Sequence, residues 1–149
     1  IIEQFKQIPF EIKRAYWIYD VPGGMDRGGH AYKENEEFIV ALSGSFDVIL
    51  HDGMNRQEYQ LNRSYSGLYV PKGMWRKMTN FSTNSLALVL SSTEYNTNDY
   101  IMDFEEFKQW RNNNCIQISI SDIQPCNNKH KSISMFQERK RKRGCKITA

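Results

Sequence analysis

The stretch from Gly24 to Gly44 reads GMDRGGHAYKENEEFIVALSG, and its spacing decides the fold prediction. His30 follows Gly24 after five intervening residues, Tyr32 comes two residues later, and Glu37 follows after four more. The segment that begins at Glu37 is short and apolar and ends in a glycine turn, which is typical of a β-strand. Because side chains alternate between the two faces of a strand, His30 and Tyr32 are expected on the same face.

A second spaced segment contains Pro71, Gly73, Arg76 and Asn80. Together the two segments resemble the two motifs of the cupin superfamily, which read G-x5-H-x-H-x4-E-x6-G and P-x-G-x2-H-x3-N. Tyr32 and Arg76 stand where those motifs have histidines, and these histidines are metal ligands in the metal-dependent members. The resemblance implies a double-sheet jelly-roll barrel. The two missing imidazoles imply chemistry without a metal.

The remaining sequence fits this fold class. Short alternating segments with turn residues between them run from Phe10 to about Leu90, which favours a sandwich or barrel. A single amphipathic helix is predicted from Phe104 to Arg111, with Asp103 as its N-cap. We therefore predict an all-β jelly-roll barrel with a short C-terminal helix.

Three weaker patterns flank the barrel. The aromatic stripe that begins at Tyr100 is interpreted as core packing rather than as part of a site. The alternation from Ile116 to Ile120 is compatible with one last strand. At the other end, Ile2 and Phe5 are interpreted as part of a strand that needs a partner, so we expect a homodimer.

The length of 149 residues predicts one domain, and the composition is ordinary for a globular protein. No apolar run approaches the roughly 20 residues that a membrane span needs. No signal-peptide pattern opens the sequence, so we expect no membrane association and a cytoplasmic location. The first residue is isoleucine, which suggests that the true start of the protein is missing.

The net charge of +3 is divided unevenly along the chain. Eight basic and only two acidic residues lie from Asn112 onward, so the first 111 residues are acidic on balance. We predict a cupin domain over residues 1–111 and a basic, poorly ordered tail over residues 112–149. The run from Arg139 to Arg143 would suit a nucleic-acid contact, but a solvated terminus is the preferred interpretation. The three cysteines fit neither a zinc pattern nor a disulfide framework.

A closer resemblance covers the segment from Ile8 to Phe107. It is similar to the metal-free sugar-nucleotide 3,4-ketoisomerases of the cupin superfamily, in the motifs IPFEIKR, YWIY, RGGHA, LSGS, GLYVP and DYI-x-DF-x-EF. The family pattern R-G-x-H-A-H-K appears here as RGGHAYK, so Tyr32 replaces a family histidine. The resemblance implies movement of the keto group of dTDP-4-keto-6-deoxy-glucose from C4 to C3, in the biosynthesis of dTDP-3-amino sugars for lipopolysaccharide or S-layer glycans.

The implied reaction needs a base, an acid and donors for an enediolate, but no cofactor. His30 is the predicted base, since imidazole titrates near ~6.5 and can return the proton it takes. Tyr32 is the predicted acid, and because a phenol is a poor base we expect impaired turnover. Tyr19 is a candidate for hydrogen bonding to the sugar. His30 and Glu37 alone are too few ligands for a catalytic metal.

A dTDP-sugar also needs contacts for its diphosphate and its base. Arg14 and Arg27 are the predicted diphosphate ligands, followed by Lys33 and Arg76. A flat apolar surface for thymine is predicted from the aromatic residues of the strands. These residues are Tyr16, Tyr19, Tyr69 and Trp75.

The sequence leaves other functions open. A 3,5-epimerase of a keto-sugar nucleotide also pairs a histidine base with a tyrosine acid, but it leaves the carbonyl at C4. A non-catalytic cupin would bind the sugar nucleotide without exchanging the proton on C3. A metal-dependent oxygenase and a nucleic-acid binder are more distant alternatives. The sequence does not separate gluco from galacto products.

Overall fold

The computed structural model describes residues 2–127 of the chain. Ten strands and one α-helix make up the regular structure of this part. The strands are β1 (Arg14–Tyr19), β2 (Arg27–Tyr32), β3 (Glu37–Ser43), β4 (Phe46–His51), β5 (Arg56–Leu61), β6 (Ser66–Val70), β7 (Trp75–Thr79), β8 (Leu86–Ser91), β9 (Tyr100–Ile101) and β10 (Pro125–Asn127). The helix is α1 (Phe104–Asn113), and short 3₁₀ turns span Thr97–Asp99 and Ile120–Asp122.

Two five-stranded sheets face each other across the core. One sheet has the order β1-β8-β3-β6-β10, the other has the order β5-β4-β7-β2-β9, and all pairings are antiparallel. Ile39, Phe46, Val48, Leu68 and Met78 are among the fully buried side chains between the sheets. The predicted all-β jelly-roll fold with a short helix is therefore confirmed.

Strand β3 is buried on both faces, which explains why its sequence is continuously apolar. Its inward side chains join the core between the sheets. Its outward side chains, including Phe38, are covered by the N-terminal segment, in which Ile8 and Phe10 are buried. That segment contains no strand among residues 2–13, and Phe5 lies in a turn with a φ of 60°. The expectation of a strand at Ile2 and Phe5 is therefore wrong for the described residues.

The helix α1 packs on the outer face of the sheet that contains β2 and β7. The Asp103 carboxylate accepts a hydrogen bond from the backbone N–H of Glu106 at 2.8 Å, so the predicted N-cap is confirmed. Phe107 is fully buried beside Ala31 and Ile101. The helix continues to Asn113, two residues beyond the predicted end.

The strand predicted over Ile116 to Ile120 does not form. The Arg111 guanidinium donates to the carbonyls of Ile116 and Ile118, and the Asp52 carboxylate accepts from the N–H of Ile120 at 3.0 Å. Side chains therefore form the hydrogen bonds that these backbone groups would otherwise have to make with a neighbouring strand. A last strand forms further on, where β10 pairs with β6.

The predicted boundary at residue 111 falls inside α1. Beyond it, Ile123 is buried in the core between the sheets, so part of the predicted tail packs on the barrel. The rest of that tail, with the basic run from Arg139 to Arg143, lies outside the described residues. The division into a domain and a tail stays a prediction. In residues 2–127 no helix is long and apolar enough to cross a membrane.

Candidate active site

A cavity of about 350 Å³ opens between β1, β2, β7 and β9. Six predicted site residues line it: Arg14, Tyr16, Arg27, His30, Tyr32 and Arg76. Four further residues complete the lining: Ile18, Gly28, Tyr95 and Tyr100. The fold thus brings most of the predicted residues to one place.

Strand alternation explains which residues reach the cavity. Along β1, Arg14, Tyr16 and Ile18 line the cavity, while the residues between them are exposed. Along β2, His30 and Tyr32 share one face, as predicted. Because Arg76 is the cross-strand partner of His30, it presents its side chain on that same face.

A buried ion pair forms the floor of the cavity. The Arg76 Nε donates to Glu37 Oε2 at 2.8 Å, and Arg76 Nη2 donates to Glu37 Oε1 at 3.2 Å. The Tyr16 hydroxyl donates to Glu37 Oε1 at 2.7 Å and accepts from Arg76 Nη2 at 2.8 Å. Burial alone would lower the pKa of Arg76, but the Glu37 carboxylate holds it above its ordinary value. The Arg76 guanidinium therefore keeps its proton beneath the site, as one half of a buried ion pair with Glu37.

His30 is held neutral beside this charge. Its side chain is 8% exposed, and burial followed by the charge of Arg76 lowers the pKa of the imidazole to about 3. Its Nε2 atom makes no hydrogen bond to any residue within 2–127. A neutral imidazole with an uncommitted ring nitrogen can accept a proton, although a pKa of about 3 makes His30 a weaker base than an ordinary histidine.

Three rings pack together at the inner end of the cavity. The centroids of His30 and Tyr32 are 4.8 Å apart, those of His30 and Tyr100 are 4.9 Å apart, and those of Tyr32 and Tyr100 are 4.7 Å apart. The Tyr32 hydroxyl donates to the Tyr100 hydroxyl at 3.1 Å. Burial, and then the Glu37 charge, raises the pKa of Tyr32, so its hydroxyl keeps its proton.

Arginine side chains and an exposed tyrosine form the mouth of the cavity. The Arg14 guanidinium lies 5.6 Å from the centroid of the Tyr16 ring and 5.5 Å from that of Tyr95. Its Nε is buried and has no hydrogen-bond partner in the described part of the chain. Arg27 also lines the cavity, and its Nη1 donates to the carbonyl of Asp26 at 2.9 Å. Two cations at one opening suit an anionic ligand.

Two predicted residues point away from the cavity, because each is next in sequence to a residue that faces it. Tyr19 lies on the outer face of β1 and is 66% exposed. Trp75 precedes the inward-facing Arg76, so it packs on the opposite face against Phe104 and Phe107 of α1. Neither side chain lines the cavity.

Tyr69 and Lys33 also lie elsewhere. Tyr69 is buried on the outer face of its sheet beside Phe10, and its hydroxyl donates to Glu36. The Lys33 ammonium donates to the carbonyl of Asn98 at 3.0 Å. Neither residue lines the cavity, because Tyr69 packs under the N-terminal segment and Lys33 follows the end of β2.

Sequence reasoning missed four cavity residues, of which Ile18 lines the cavity on β1. Tyr100 was interpreted as core, but it is the cross-strand partner of Tyr32 and faces the cavity. Tyr95 lies in the loop before β9, where no periodicity marks it. Gly28 has a φ of +70°, and a Cβ there would overlap the Arg76 guanidinium. Its place in the RGGHA motif was the one available signal.

Within residues 2–127 no group of three or more histidine, cysteine, aspartate or glutamate side chains is placed to hold a metal ion. Glu37, the carboxylate of the first motif, is engaged by Arg76 and Tyr16. The metal-free reaction stays a prediction.

The family model described as "FdtA: WxcM-like, C-terminal" matches residues 1–112. The chain belongs to this family. The match spans three quarters of the chain, so it confirms the resemblance on which the sequence analysis relied.

Close relatives of the chain are sugar 3,4-ketoisomerases. A TDP-4-oxo-6-deoxy-alpha-D-glucose-3,4-oxoisomerase of Aneurinibacillus thermoaerophilus is 44% identical over 109 residues, which cover 73% of this chain and 78% of the relative. The crystal structure of a 3,4-ketoisomerase from Helicobacter canadensis is 46% identical with a TM-score of 0.73, and the match covers 75% of this chain and 84% of the other.

A third relative was solved with a sugar nucleotide. It is a mutant of a 3,4-ketoisomerase from Thermoanaerobacterium thermosaccharolyticum in complex with TDP-4-keto-6-deoxyglucose. It is 30% identical with a TM-score of 0.70, and the match covers 74% of this chain and 80% of the other. Two epimerases, from Mycobacterium tuberculosis and Streptomyces spheroides, are only 19% and 16% identical and share the fold alone.

Proposed function

We propose that this chain moves the keto group of dTDP-4-keto-6-deoxy-glucose from C4 to C3, without a metal, for the synthesis of dTDP-3-amino sugars. The observation that carries the proposal is the neutral, buried imidazole of His30, whose Nε2 is uncommitted in a cavity with two arginines at its mouth. The relatives named for this reaction share the family and the fold.

His30 acts as the base in this proposal. The C4 carbonyl acidifies the proton on C3, and Nε2 of His30 removes that proton to give an enediol(ate). The same imidazolium then returns the proton to C4, which leaves the carbonyl at C3. Arg76 lies beneath the site as half of a neutral pair with Glu37, so its guanidinium contributes local polarity rather than a net charge there. Tyr32 supplies a protonated hydroxyl near His30.

The mouth of the cavity binds the nucleotide in this proposal. Arg14 and Arg27 are the cations for the diphosphate, since guanidinium groups pair with phosphate oxygens. Tyr16 and Tyr95 offer flat surfaces for thymine beside Arg14. The lining does not include Tyr19, Tyr69, Trp75 or Lys33, so they have no part in this binding mode.

Proton NMR of the sugar in deuterated water tests the function. The chain and dTDP-4-keto-6-deoxy-glucose are expected to give the 3-keto sugar with loss of the C3 proton signal. A Tyr32→His variant, which restores the family histidine, should turn over at least as fast. A product that keeps its carbonyl at C4 would instead support a 3,5-epimerase. Tight binding without exchange of the C3 proton would support a non-catalytic cupin.

Oligomeric state, location and biological role are further parts of the proposal. A homodimer is supported by the exposed aromatic side chains on the outer face of β1, where Trp17 is 58% exposed and Tyr19 is 66% exposed. A cytoplasmic location and a role in lipopolysaccharide or S-layer glycans stay predictions. The cavity residues do not by themselves distinguish the gluco from the galacto product.

A further inference from the structure

We propose that Tyr32 and Tyr100 form a two-hydroxyl relay that carries a proton from O3 to O4 of the bound keto sugar, with Tyr100 as a further catalytic residue. The inference rests on the proposed isomerase function and deepens it. His30 accounts for the proton that moves between the two carbons, but the reaction also moves a proton between the two oxygens. No role has so far been given to a group for this second transfer.

The fold places the two hydroxyls together. Tyr32 and Tyr100 are cross-strand partners in the antiparallel pair β2–β9, so both side chains leave the sheet on the face that carries His30. The Tyr32 hydroxyl donates to the Tyr100 hydroxyl at 3.1 Å, and both residues line the cavity. Their rings each lie within 5 Å of the His30 ring, at 4.8 and 4.9 Å between centroids.

Tyr16, another of the four cavity tyrosines, is unsuited to the same task. The Tyr16 hydroxyl already donates to Glu37 at 2.7 Å and accepts from Arg76 at 2.8 Å. Its proton is therefore committed to a carboxylate. The Tyr100 hydroxyl, by contrast, accepts from Tyr32 and donates to no residue within 2–127, so its own proton is available to a ligand.

The relay moves protons without building charge on the protein. The O3–H bond breaks as its proton passes to the Tyr32 oxygen, the Tyr32 proton passes to the Tyr100 oxygen, and the Tyr100 proton forms the new O4–H bond. Both phenols are neutral before and after the transfer. This is consistent with the raised pKa of Tyr32, which burial causes, because a free phenolate would be unfavourable there. At the carbons, His30 removes the C3 proton and returns one to C4.

The pair also allows a phenol to act at the position of the family histidine. A second imidazole at position 32 would exchange protons by becoming charged, next to the buried Arg76. A phenol can instead accept one proton while it donates its own, provided that a second hydroxyl lies within hydrogen-bonding distance to receive it. Tyr100 supplies that hydroxyl at 3.1 Å.

The test compares two rates in the same NMR experiment. Exchange of the C3 proton with deuterated solvent requires proton removal by His30 and release of that proton to water, but not the transfer between oxygens. Formation of the 3-keto sugar does require that transfer. In a Tyr100→Phe variant we expect the ratio of product formation to C3 exchange to fall by about 10²-fold. A Tyr65→Phe variant, which removes a hydroxyl from an exposed loop residue, is the matched control and should leave the ratio unchanged.

A merely structural role for Tyr100 would reduce both rates together and leave their ratio intact, and that result would overturn the relay. A second readout is the rate in mixtures of light and heavy water. In the native chain, the rate should depend on the fraction of heavy water along a curve, because several hydroxyl protons move together. The curvature should be smaller in Tyr100→Phe. If the native chain neither exchanges the C3 proton nor forms product, the isomerase function itself fails and the relay fails with it.

Discussion

The environment of His30 predicts an unusual pH dependence for this enzyme. Burial, and then the nearby charge of Arg76, lowers the pKa of the imidazole to about 3. A base must be unprotonated, so the active form of His30 is present at all pH values well above that pKa. An unperturbed histidine would instead lose half of its base form near pH ~6.5.

We therefore expect kcat/KM for the proposed isomerisation to stay level as pH falls from about 8 to about 5, since kcat/KM reports the free enzyme. The measurement is a set of progress curves with dTDP-4-keto-6-deoxy-glucose across that range. The matched control is the stability of the fold at each pH, followed by circular dichroism. A decline centred near the ordinary histidine pKa would show that the imidazole is more solvated than the structure indicates.

A second prediction concerns Gly28. Its φ of +70° disfavours any side chain, and a Cβ would overlap the Arg76 guanidinium and approach His30 Cε1 at 3.4 Å. Gly28→Ala should therefore lower the free energy of unfolding by about 1–3 kcal/mol and displace the floor of the site. Urea denaturation and the isomerase rate measure the two effects.

Gly24→Ala is the matched control for this change. Gly24 has a similar φ of +79°, but nothing lies within 4 Å of a Cβ built there. Alanine at this position causes the backbone strain but brings no Cβ against the Arg76 guanidinium. We expect comparable strain but an unchanged isomerase rate in Gly24→Ala, and equal rates in the two variants would contradict the proposed crowding.

At the scale of the elements, the two sheets are joined by a buried ion pair. Arg76 belongs to β7 and Glu37 to β3, which lie in different sheets, and the two side chains are 2% and 1% exposed. Tyr16 on β1 bonds to both. Breaking one half of such a pair leaves a buried charge without compensation, whereas removing both halves does not.

Glu37→Gln should therefore lower the free energy of unfolding by about 3–5 kcal/mol, as measured by urea denaturation. The double variant Glu37→Gln with Arg76→Met should lose less stability than the single change, because it leaves no unpaired guanidinium. Equal losses in the single and double variants would mean that the pair contributes through packing rather than charge.

For the whole molecule, the outer face of β1 is the feature that needs a partner. β1 is an edge strand of its sheet in the described part of the chain, and its outward residues Trp17 and Tyr19 are 58% and 66% exposed. Leu42 on β3 is a further exposed apolar side chain, at 40%. Edge strands and clustered apolar side chains are both features that a second subunit can cover.

We expect light scattering on a sizing column to give twice the 17.6 kDa chain mass. A Trp17→Glu variant with Tyr19→Glu should shift the protein towards the monomer, since charges at a buried interface are unfavourable. Met54→Glu, a change at an 89% exposed residue in the β4–β5 loop, is the control and should leave the mass unchanged. A monomeric native protein would contradict the expectation of a homodimer.

The sequence by itself determined the fold class, the family and the central residue of the site. The spacing of His30, Glu37 and the glycines is local, and strand alternation carries His30 and Tyr32 to one face whatever surrounds them. Asp103 was likewise identifiable as an N-cap, because capping depends on neighbouring residues only. These features depend on short-range geometry.

The tertiary structure decided which aromatic and cationic residues belong to the site. Tyr19 and Trp75 have the right chemistry but lie on the outer faces of their strands. Which face of a strand points to the core is decided only when the sheets pack. Tyr100 lies in the DYI motif, but its place in the site follows from register: antiparallel pairing places it opposite Tyr32, 68 residues away. Contacts between distant segments depend on how the strands pair, and local patterns in the sequence do not reveal that pairing.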